Sequence, residues 1–501
     1  MDELPISVDR MSRTPLAVQV ANALREAAVA GHVRTGERMP SSRALAARLG
    51  VSRTVTAAAY EQLHAEGWLE GRRGSGTYVS AAPHSVVRHV DSTQPAAEPT
   101  SVDLAPGAPC LAVLDPAAWR RAWRRASDRP ALGHSERRAV PEFRAAITEH
   151  LLRHRGLGGP VDVLATTGTG VAAGELAAAL FSPGDTVAVE EPGYLRAVGA
   201  LRAAGIRTVP VAVDRHGLVV DAIPAAAKAV YCTPAHQFPL GYRMPAARRV
   251  ALVEYARATG TLLIEDDYDG ELRYDAAPLP LLAALAPDVV VHLGTSSKIL
   301  TPTLGVGWLV APPEIADAVV RHRISVGAHP SAAAQLVFAE FAAGGDLARH
   351  LRRVRRELAE RRSIVVDHFR AQGITVQGDE AGGHVVLIWD DLGAETAAIE
   401  HARGRGIVLD GLGRHYWHVD DIAPHRDGNA APQLRHHSHH SAPQSPHHGN
   451  GADHTAAPPP QHAPDTARQP RRGNERTFGI VLGYTAYERP VLERALRKLS
   501  L

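Results

Sequence analysis

The sequence predicts an α/β protein in which a small helical unit precedes a large domain with a mostly parallel sheet. Three observations lead to this prediction. Residues 14–80 have the pattern of helices followed by a hairpin, residues 102–311 alternate β-rich with helical runs, and a smaller α+β unit ends the chain. Alternation of strands and helices over such a length places helices on both faces of a parallel sheet.

The N-terminal unit is predicted from helical spacing and capping residues. Residues 14–30 carry apolar side chains at three- and four-residue spacing, as in an amphipathic helix. Ser41 and Ser52 are suitable N-caps for two further helices, which are separated by a tight turn at residue 50. A short hairpin with a glycine-rich turn follows at residues 68–79.

A helix, a tight turn and a second helix form the arrangement that places the second helix in a major groove. The start of that helix then reaches base edges, while the preceding helix and the hairpin reach phosphates. The predicted DNA-binding residues are Arg43, Ser52, Arg53, Thr54, Thr56, Arg72, Arg73 and Gly74. From the pattern alone, a helical module that contacts another protein is the alternative.

Five runs in this unit resemble the winged helix-turn-helix of GntR-type transcription regulators. They are Pro40–Ala46, Gly50–Val55, Ala59–Leu63, Glu66–Leu69 and Gly74–Val79. The resemblance implies that residues 1–80 form a winged helix-turn-helix domain that binds double-stranded operator DNA, and it disfavours the protein-contact module.

Composition divides the rest of the chain. Residues 81–101 lack periodicity and mix Pro, Ser, Thr and Ala, which predicts a flexible linker before a large domain at residues 102–501. The small subdomain is expected to begin at about residue 345. Residues 418–475 are rich in His, Pro, Ala, Gln and Asn, so we expect a disordered insertion. Its clustered imidazoles are able to capture Zn, Ni or Cu, but no fixed spacing indicates a metal site.

The elements of the large domain follow from its apolar runs. The predicted strands are 163–167, 186–190, 208–213, 229–233, 262–266, 289–293 and 306–311. The predicted helices are 171–181, 195–203, 245–259 and 280–284, with a long Arg-rich helical region at 314–370. Strands at 384–389, 407–410 and 478–484, a helix at 395–405 and a last helix complete the small subdomain.

Four groups at successive strand ends suit a phosphorylated aldehyde cofactor. Lys298 is able to form a Schiff base if its surroundings lower its pKa. Asp266 and Tyr268 lie on one side of a strand end, where a carboxylate holds a pyridinium nitrogen and a phenol donates to a ring oxygen. Residues 168–170 precede a helix whose free amides suit a phosphate, and Tyr194 is able to stack on a flat ring. Each group taken singly also has an ordinary structural explanation.

The order of these residues resembles fold-type I aminotransferases, and specifically the MocR subgroup of GntR regulators. The supporting runs are Pro183–Val187, Glu191–Tyr194, Thr233–Pro239, Glu265–Asp269 and Leu293–Lys298. The resemblance implies pyridoxal 5′-phosphate (PLP) as the cofactor, held by a Schiff base to Lys298. It implies that the cofactor-binding residues are Gly168, Thr169, Gly170, Tyr194, His236, Gln237, Asp266, Tyr268, Thr295, Ser297 and Lys298. It also implies that Arg196 holds the carboxylate of an effector.

Two positions depart from the pattern of this subgroup. Gly305 stands where members usually carry an arginine that pairs with the cofactor phosphate. Loss of such a charge-assisted contact costs on the order of 1.5–3 kcal/mol. The strand at 478–484 lacks the second carboxylate-binding arginine of aminotransferases, and Arg476 at its edge is the near candidate.

Composition limits the class of protein. The formal net charge is +2, so the whole chain is not a polybasic coat for nucleic acid. Cys110 and Cys232 exclude a disulfide scaffold and suit a reducing compartment. No apolar run has the length of a membrane span and the N-terminus lacks a signal-peptide pattern, so we expect a cytoplasmic protein without membrane contact.

We therefore predict a PLP-dependent transcription regulator that binds operator DNA, with a homodimer implied by the aminotransferase resemblance. An amine or amino acid in the site would displace Lys298 and change the spacing of the two DNA-binding units. Such sensing does not require turnover. Two alternatives remain: an active aminotransferase with a DNA-binding appendage, and a regulator whose aminotransferase-like domain only dimerises, without a cofactor.

Overall fold

The computed structural model describes residues 6–29, 32–33, 35–72, 76–80, 101–130, 133–159, 161–389, 391–417 and 476–499. The chain divides into two compact units, Met1–Ala97 and Glu98–Leu501. The predicted linker, apart from Ser101, and the histidine-rich insertion lie outside the described residues.

Three helices and an antiparallel hairpin make up the N-terminal unit. They are α1 (Leu16–Val29), α2 (Ser42–Leu49), α3 (Arg53–Ala65), β1 (Leu69–Arg72) and β2 (Gly76–Val79). Ser41 and Ser52 accept hydrogen bonds from the amides of Ala44 and Val55, so both predicted N-caps are confirmed. Gly50 adopts φ +62 at the end of α2, and this left-handed conformation makes the tight turn.

An eight-stranded sheet in the order β4-β11-β10-β9-β8-β5-β6-β7 is the centre of the second unit. Its strands are β4 (Asp162–Thr166), β5 (Thr186–Glu191), β6 (Arg207–Asp214), β7 (Gly217–Leu218), β8 (Ala227–Cys232), β9 (Leu262–Asp267), β10 (Val290–Thr295) and β11 (Gly307–Ala311). Strands β10, β9, β8, β5 and β6 are parallel, whereas β11 and β7 run antiparallel to their neighbours. The predicted, largely parallel sheet is confirmed.

Helices cover both faces of this sheet. The helices that pack on its strands are α5 (Pro141–Arg155), α6 (Thr169–Leu180), α7 (Leu195–Ala203), α8 (Ala246–Thr259), α9 (Leu282–Leu285) and α10 (Pro313–Val326). Three further helices, α4 (Pro116–Ser127), α11 (Ala332–Ala343) and α12 (Asp346–Arg370), pack on other helices. Neighbouring strand residues such as Leu263 and Ile264 belong to two different buried clusters, because side chains alternate between the faces.

Some predicted bounds need correction. The helical region at 314–370 is three helices, since the chain turns at Gly327 and at Gly344–Gly345. The helix predicted at 171–181 begins at Thr169, and the one predicted at 280–284 lies at Leu282–Leu285. Helices α4 and α5 were not predicted.

A four-stranded sheet in the order β12-β13-β16-β15 forms the small subdomain. The strands of this region are β12 (Thr375–Gln377), β13 (His384–Trp389), β14 (Ile407–Val408), β15 (Asp410–Gly411) and β16 (Phe478–Gly483), and its helices are α13 (Leu392–Arg403) and α14 (Arg489–Lys498). The strand predicted at 407–410 is two strands, because β14 pairs with β3 (Val102–Asp103) and β15 with β16. No helix in the described part of the chain is long and apolar enough to cross a membrane.

Candidate functional site

The candidate site is a cavity of about 850 Å³ at the carboxyl ends of the parallel strands, the edge at which open α/β sheets bind ligands. The ends of β9 and β10, the first turns of α6 and α7, and part of the small subdomain line it. The predicted site residues in this lining are Gly168, Thr169, Gly170, Tyr194, Arg196, Asp266, Tyr268, Thr295, Ser297 and Lys298.

Asp266 presents a carboxylate oxygen without a partner to this cavity. Its Oδ2 accepts a short hydrogen bond from the Tyr231 hydroxyl, whereas Oδ1 is buried and makes no hydrogen bond among the described residues. Burial raises the pKa of Asp266 to about 7. A buried carboxylate of this kind is stabilised by a cationic N–H group, and a protonated pyridine nitrogen supplies one.

Lys298 lies three residues beyond β10, with its amine in the same cavity. Its Nζ donates a hydrogen bond of 2.6 Å to the carbonyl oxygen of Gly107. Burial lowers the pKa of Lys298, which favours the neutral, nucleophilic amine. Gly107 has φ +116, and a Cβ there would lie 2.9 Å from Nζ. A glycine at residue 107 therefore leaves room for the lysine.

Backbone amides and hydroxyls form one wall of the cavity. Gly168 adopts φ +140 and precedes α6, so the free amides of the first turn of this helix face the site. At the end of β10, Thr295 Oγ1 donates to Ser297 Oγ over 3.0 Å and accepts from the Ser297 amide over 3.1 Å. Amides at a helix N-terminus together with hydroxyls suit an anion such as a phosphate.

Aromatic rings form another part of the lining. Tyr194 and Phe238 pack edge to face with centroids 5.8 Å apart, and Phe238 packs in the same way against Tyr268 at 5.9 Å. Tyr194 also contacts the first turn of α6, since a Cβ on Gly170 would lie 3.8 Å from its ring. Tyr194 and Asp266 line the same cavity, and an aromatic ring in such a lining suits a flat ligand.

A buried network supports Tyr268 from behind. The Tyr268 hydroxyl lies 3.1 Å from His236 Nδ1, which is 2.9 Å from Asp269 Oδ2. His384 packs on the His236 ring, and burial lowers the pKa of His384 to about 3. His236, Asp269 and His384 are close enough to ligate a metal together. We interpret them as a network that positions Tyr268, because His236 is already bonded to Asp269, and His384 to the carbonyl of Pro239.

His236 and Gln237 require a correction, because neither side chain lines the cavity. Both residues are buried. Gln237 Nε2 donates to the carbonyl oxygens of Pro192 and Phe238, and its Oε1 accepts from the Leu240 amide. Gln237 therefore holds the loop that carries Phe238, and His236 acts through Tyr268.

Two arginines that the resemblance would place in the site are absent from the described lining. Gly305 has φ +60 after the 3-10 helix Pro302–Leu304, and a Cβ built on it meets no described atom within 4 Å. The guanidinium of Arg476 lies 5.6 Å from the centroid of the Tyr416 ring and not in the cavity lining. Neither position supplies a cation to the described site.

Several residues of the lining were missed from the sequence. They are Gly107, Phe238, Asp269, His384, Arg414, His415 and Thr485. Asp269 belongs to a run that the sequence analysis quoted, so its position beside Tyr268 was an available signal. The others come from segments far apart in the chain, where no local pattern points to the cavity.

Two aromatic residues hold the chain at both sides of residues 418–475. The Trp417 amide donates to Glu191 Oε1 over 3.0 Å, and its indole donates to the Glu190 carbonyl oxygen over 3.3 Å. The Tyr416 hydroxyl accepts from the Thr477 amide over 2.8 Å. The chain therefore leaves and returns at one place, which lies at the end of β5.

Four of the predicted DNA-binding residues lie on the surface of the N-terminal unit. Arg43, Ser52, Arg53 and Thr54 are exposed, and the last three lie at the start of α3. Arg72 ends β1, but its side chain, like Arg73 and Gly74, lies outside the described residues.

Thr56 needs a correction. Its side chain is fully buried, and its hydroxyl donates to the carbonyl oxygens of Ser42 over 2.7 Å and Arg53 over 3.1 Å. Thr56 therefore links α2 to α3 and does not present its hydroxyl to a base edge.

The fold and these two sites define a class of protein, a transcription regulator with an N-terminal helix-turn-helix and an aminotransferase-like domain. The family model "Bacterial regulatory proteins, gntR family" matches residues 16–79, and "Aminotransferase class I and II" matches residues 99–409. The kynurenine aminotransferase of Pyrococcus horikoshii is a similar solved structure, with a TM-score of 0.64 at 20% identity over 80% of this chain and 90% of that one.

Curated relatives narrow the class. The chain is 37% identical to the HTH-type pyridoxine biosynthesis transcriptional regulator PdxR of Corynebacterium glutamicum, over 83% of this chain and 92% of the relative. It is 32% identical to the probable rhizopine catabolism regulatory protein MocR of Rhizobium meliloti, over 82% of this chain and 89% of the relative. The chain belongs to the MocR/PdxR-type GntR regulators, as the sequence predicted.

Proposed function

We propose that this transcription regulator binds PLP in its aminotransferase-like domain and that the occupied site changes its binding to operator DNA. The observation that carries the proposal is one cavity in which Lys298, the unpartnered Oδ1 of Asp266 and the amides of residues 168–170 converge. These groups match an aldehyde, a protonated ring nitrogen and a phosphate, which are the three polar ends of PLP. When bound, PLP supplies an aldehyde that captures amines.

The residues around Lys298 favour its reaction with an aldehyde. Burial disfavours the ammonium form of Lys298, and the Gly107 carbonyl oxygen orients the amine by accepting a hydrogen bond from it. Asp266 would hold a proton at the ring nitrogen, and the Tyr231 hydroxyl fixes the direction of its carboxylate. Tyr268 would donate to the ring oxygen and Tyr194 would stack on the ring, while Thr169, Thr295 and Ser297 would contact the phosphate.

The comparisons support the same proposal. The similar regulator of Corynebacterium glutamicum is named for pyridoxine biosynthesis. Among solved structures of this fold, that of LysN from Thermus thermophilus holds N-(5′-phosphopyridoxyl)-L-leucine, at a TM-score of 0.62 and 21% identity over 80% of this chain and 91% of that one. An amine or amino acid is the class of effector that a PLP aldehyde would recognise.

Operator binding would use the exposed start of α3, with a homodimer matching two half-sites. Exposed apolar side chains support a second copy on the large domain. Val171, Ile324 and Val326 are 62%, 59% and 59% exposed on α6 and α10, and Val171 is also part of the cavity lining. Sedimentation of the full chain should give twice the monomer mass, and a monomer would contradict this part of the proposal.

The central experiment is an absorbance titration of the full chain with PLP, followed by binding to DNA from upstream of its own gene. We expect a yellow band that Lys298→Ala lacks, and a change in DNA affinity on PLP addition that Lys298→Ala also lacks. No band in protein with excess PLP would contradict the proposal and favour a domain that only dimerises.

An active aminotransferase is the second candidate, because Lys298, Asp266 and Tyr268 are all present in the cavity. Product analysis with a panel of amino donors and oxo acids separates the two candidates. Multiple turnovers would establish the enzyme, whereas PLP-dependent DNA binding without product would establish a sensor.

A further inference from the structure

A bound PLP phosphate carries negative charge that the amides and hydroxyls around residues 168–170 do not neutralise. Within the described lining, the lysine and arginine side chains are Lys298, Arg196 and Arg414. One of these three is the natural source of a compensating cation.

Two of these cations are already engaged. Lys298 directs its amine to the Gly107 carbonyl oxygen and is the group that would bind the aldehyde. Arg414 is paired with Asp410, since its Nε contacts Oδ1 and its Nη2 donates to Oδ2 over 3.0 Å. The Arg414 side chain is also 65% exposed, whereas Asp410 is buried.

Arg196 is placed differently. It lies in the first turn of α7 beside the first turn of α6, since a Cβ on Gly170 would be 3.7 Å from Arg196 Cβ. Its charge acts on the Tyr194 phenol, to which it hydrogen-bonds, and on the Lys298 amine. No carboxylate among the described residues is within ion-pair distance of it. Arg196 is thus an uncompensated cation beside the amides that suit the phosphate.

We propose that Arg196 binds the phosphate of the cofactor, instead of the carboxylate of an effector. The proposal rests on the proposed PLP site. A guanidinium offers two parallel N–H groups to a phosphate, and the turn at residues 301–305 has no lysine or arginine to do so. Arg196 engaged by the phosphate is then not available to an effector carboxylate.

The test compares PLP with pyridoxal, which has the same ring and aldehyde but no phosphate. Both are titrated into full-length wild type, Arg196→Gln and Arg196→Lys, with the absorbance of the lysine-bound form as the readout. We expect Arg196→Gln to raise the Kd for PLP about 10- to 100-fold, and the Kd for pyridoxal less than about twofold. Arg196→Lys keeps the charge but not the paired donors, so a smaller loss selective for PLP is expected.

Arg202→Gln is the matched control. Arg202 lies on the same helix and carries the same charge, but its Nε donates to Thr208 Oγ1 over 2.9 Å and its guanidinium lies 5.0 Å from the centroid of the Trp417 ring. Both Kd values should equal those of wild type in this variant. Arg414→Gln should likewise show no loss that is selective for PLP.

Three outcomes would overturn the inference while wild type binds PLP. They are equal losses for both ligands in Arg196→Gln, an unchanged Kd for PLP, and a loss selective for PLP in Arg414→Gln. Equal losses for both ligands would mean that Arg196 supports Tyr194. An unchanged Kd for PLP would mean that Arg196 binds an effector or no ligand. A selective loss in Arg414→Gln would mean that Arg414 binds the phosphate. A wild-type protein that binds neither ligand would instead contradict the proposed function itself.

Discussion

Asp266 and Asp267 are neighbours on one strand, yet their carboxylates have opposite surroundings. Asp267 is buried against the Arg155 guanidinium, which contacts both of its oxygens and also donates to Glu271 over 3.0 Å. Asp266 accepts from the Tyr231 hydroxyl at Oδ2, and its Oδ1 has no hydrogen-bond partner among the described residues. Besides Tyr231, the Thr169 hydroxyl lowers the pKa of Asp266 by hydrogen bonding. Strand alternation sends the two side chains to opposite faces, so adjacent residues serve the fold and the site separately.

The pKa values of the carboxyl groups at these two places shift in opposite directions. Burial would raise the pKa of Glu271, but Arg155 and His150 outweigh it and hold this pKa well below its usual range. Burial without a cation raises the pKa of Asp266 to about 7. A buried polar group with its partner supports the fold, while one without a partner is costly until a ligand arrives.

Asp267→Asn should have the largest effect on stability. It would leave Arg155, whose side chain is 1% exposed, without one of its two anions, at a cost of about 3–5 kcal/mol. Thermal unfolding of the full chain, followed by circular dichroism, should show a lower midpoint. A midpoint equal to that of wild type would mean that Glu271 alone compensates Arg155.

Asp266→Asn should instead stabilise the protein without cofactor at pH 8. The pKa of Asp266 is about 7 in the folded protein, against an ordinary value of 3.8, so the folding stability of wild type falls as pH rises between these two values. Removal of the charge should raise the free energy of unfolding by about 2–4 kcal/mol at pH 8 and change it little at pH 4. The same variant should lose stabilisation by added PLP. The raised pKa of Asp266 would be contradicted if the unfolding midpoint were higher at pH 4 than at pH 8 in the variant but not in wild type.

Two exposed arginines of the DNA-binding unit, Arg53 and Arg43, are expected to have different roles. If Arg53 contacts a base as we propose, Arg53→Ala should reduce the preference for operator over random DNA by about 1–3 kcal/mol. Arg43→Ala should weaken binding to operator and to random DNA to a similar extent, and it should lower the salt dependence of binding. Fluorescence anisotropy at two salt concentrations measures both, and equal losses on both DNAs for Arg53→Ala would exclude a base contact.

Thr56→Val should have the smallest effect, a destabilisation of about 1 kcal/mol from the lost hydrogen bonds to Ser42 and Arg53. Thr54→Val, at an exposed position of the same helix, is the matched control and should leave the unfolding midpoint unchanged. The reverse order of stabilities would show that Thr54 has the structural role.

The sheet could be predicted from the sequence because its strands are continuous apolar runs with clear breaks. All seven predicted strands of the large domain are present within two residues of their predicted bounds. Their ends carry Asp266 and residues 168–170, and Lys298 follows the end of β10, so most of the site followed from the order of strands and helices. Helix α4 was missed although Asp115 caps it and Pro116 starts it, signals that are readable in a sequence.

Other features depend on partners that are distant in the chain. Thr56 fits the exposed start of a helix until the Ser42 carbonyl is placed beside it. Gln237 lies in a loop without periodicity, and its role follows from the carbonyl groups of Phe238 in the same loop and of Pro192, which is distant in the chain. The contact between Lys298 and Gly107 joins segments that no local pattern relates.

The fastening of Tyr416 to Thr477 and of Trp417 to Glu191 has a consequence for the length of this chain. Because both ends of residues 418–475 are secured at one spot, the separation of those ends does not depend on how many residues join them. Insertions, deletions or replacements within that histidine-rich stretch should therefore leave the shape of the neighbouring pocket unchanged.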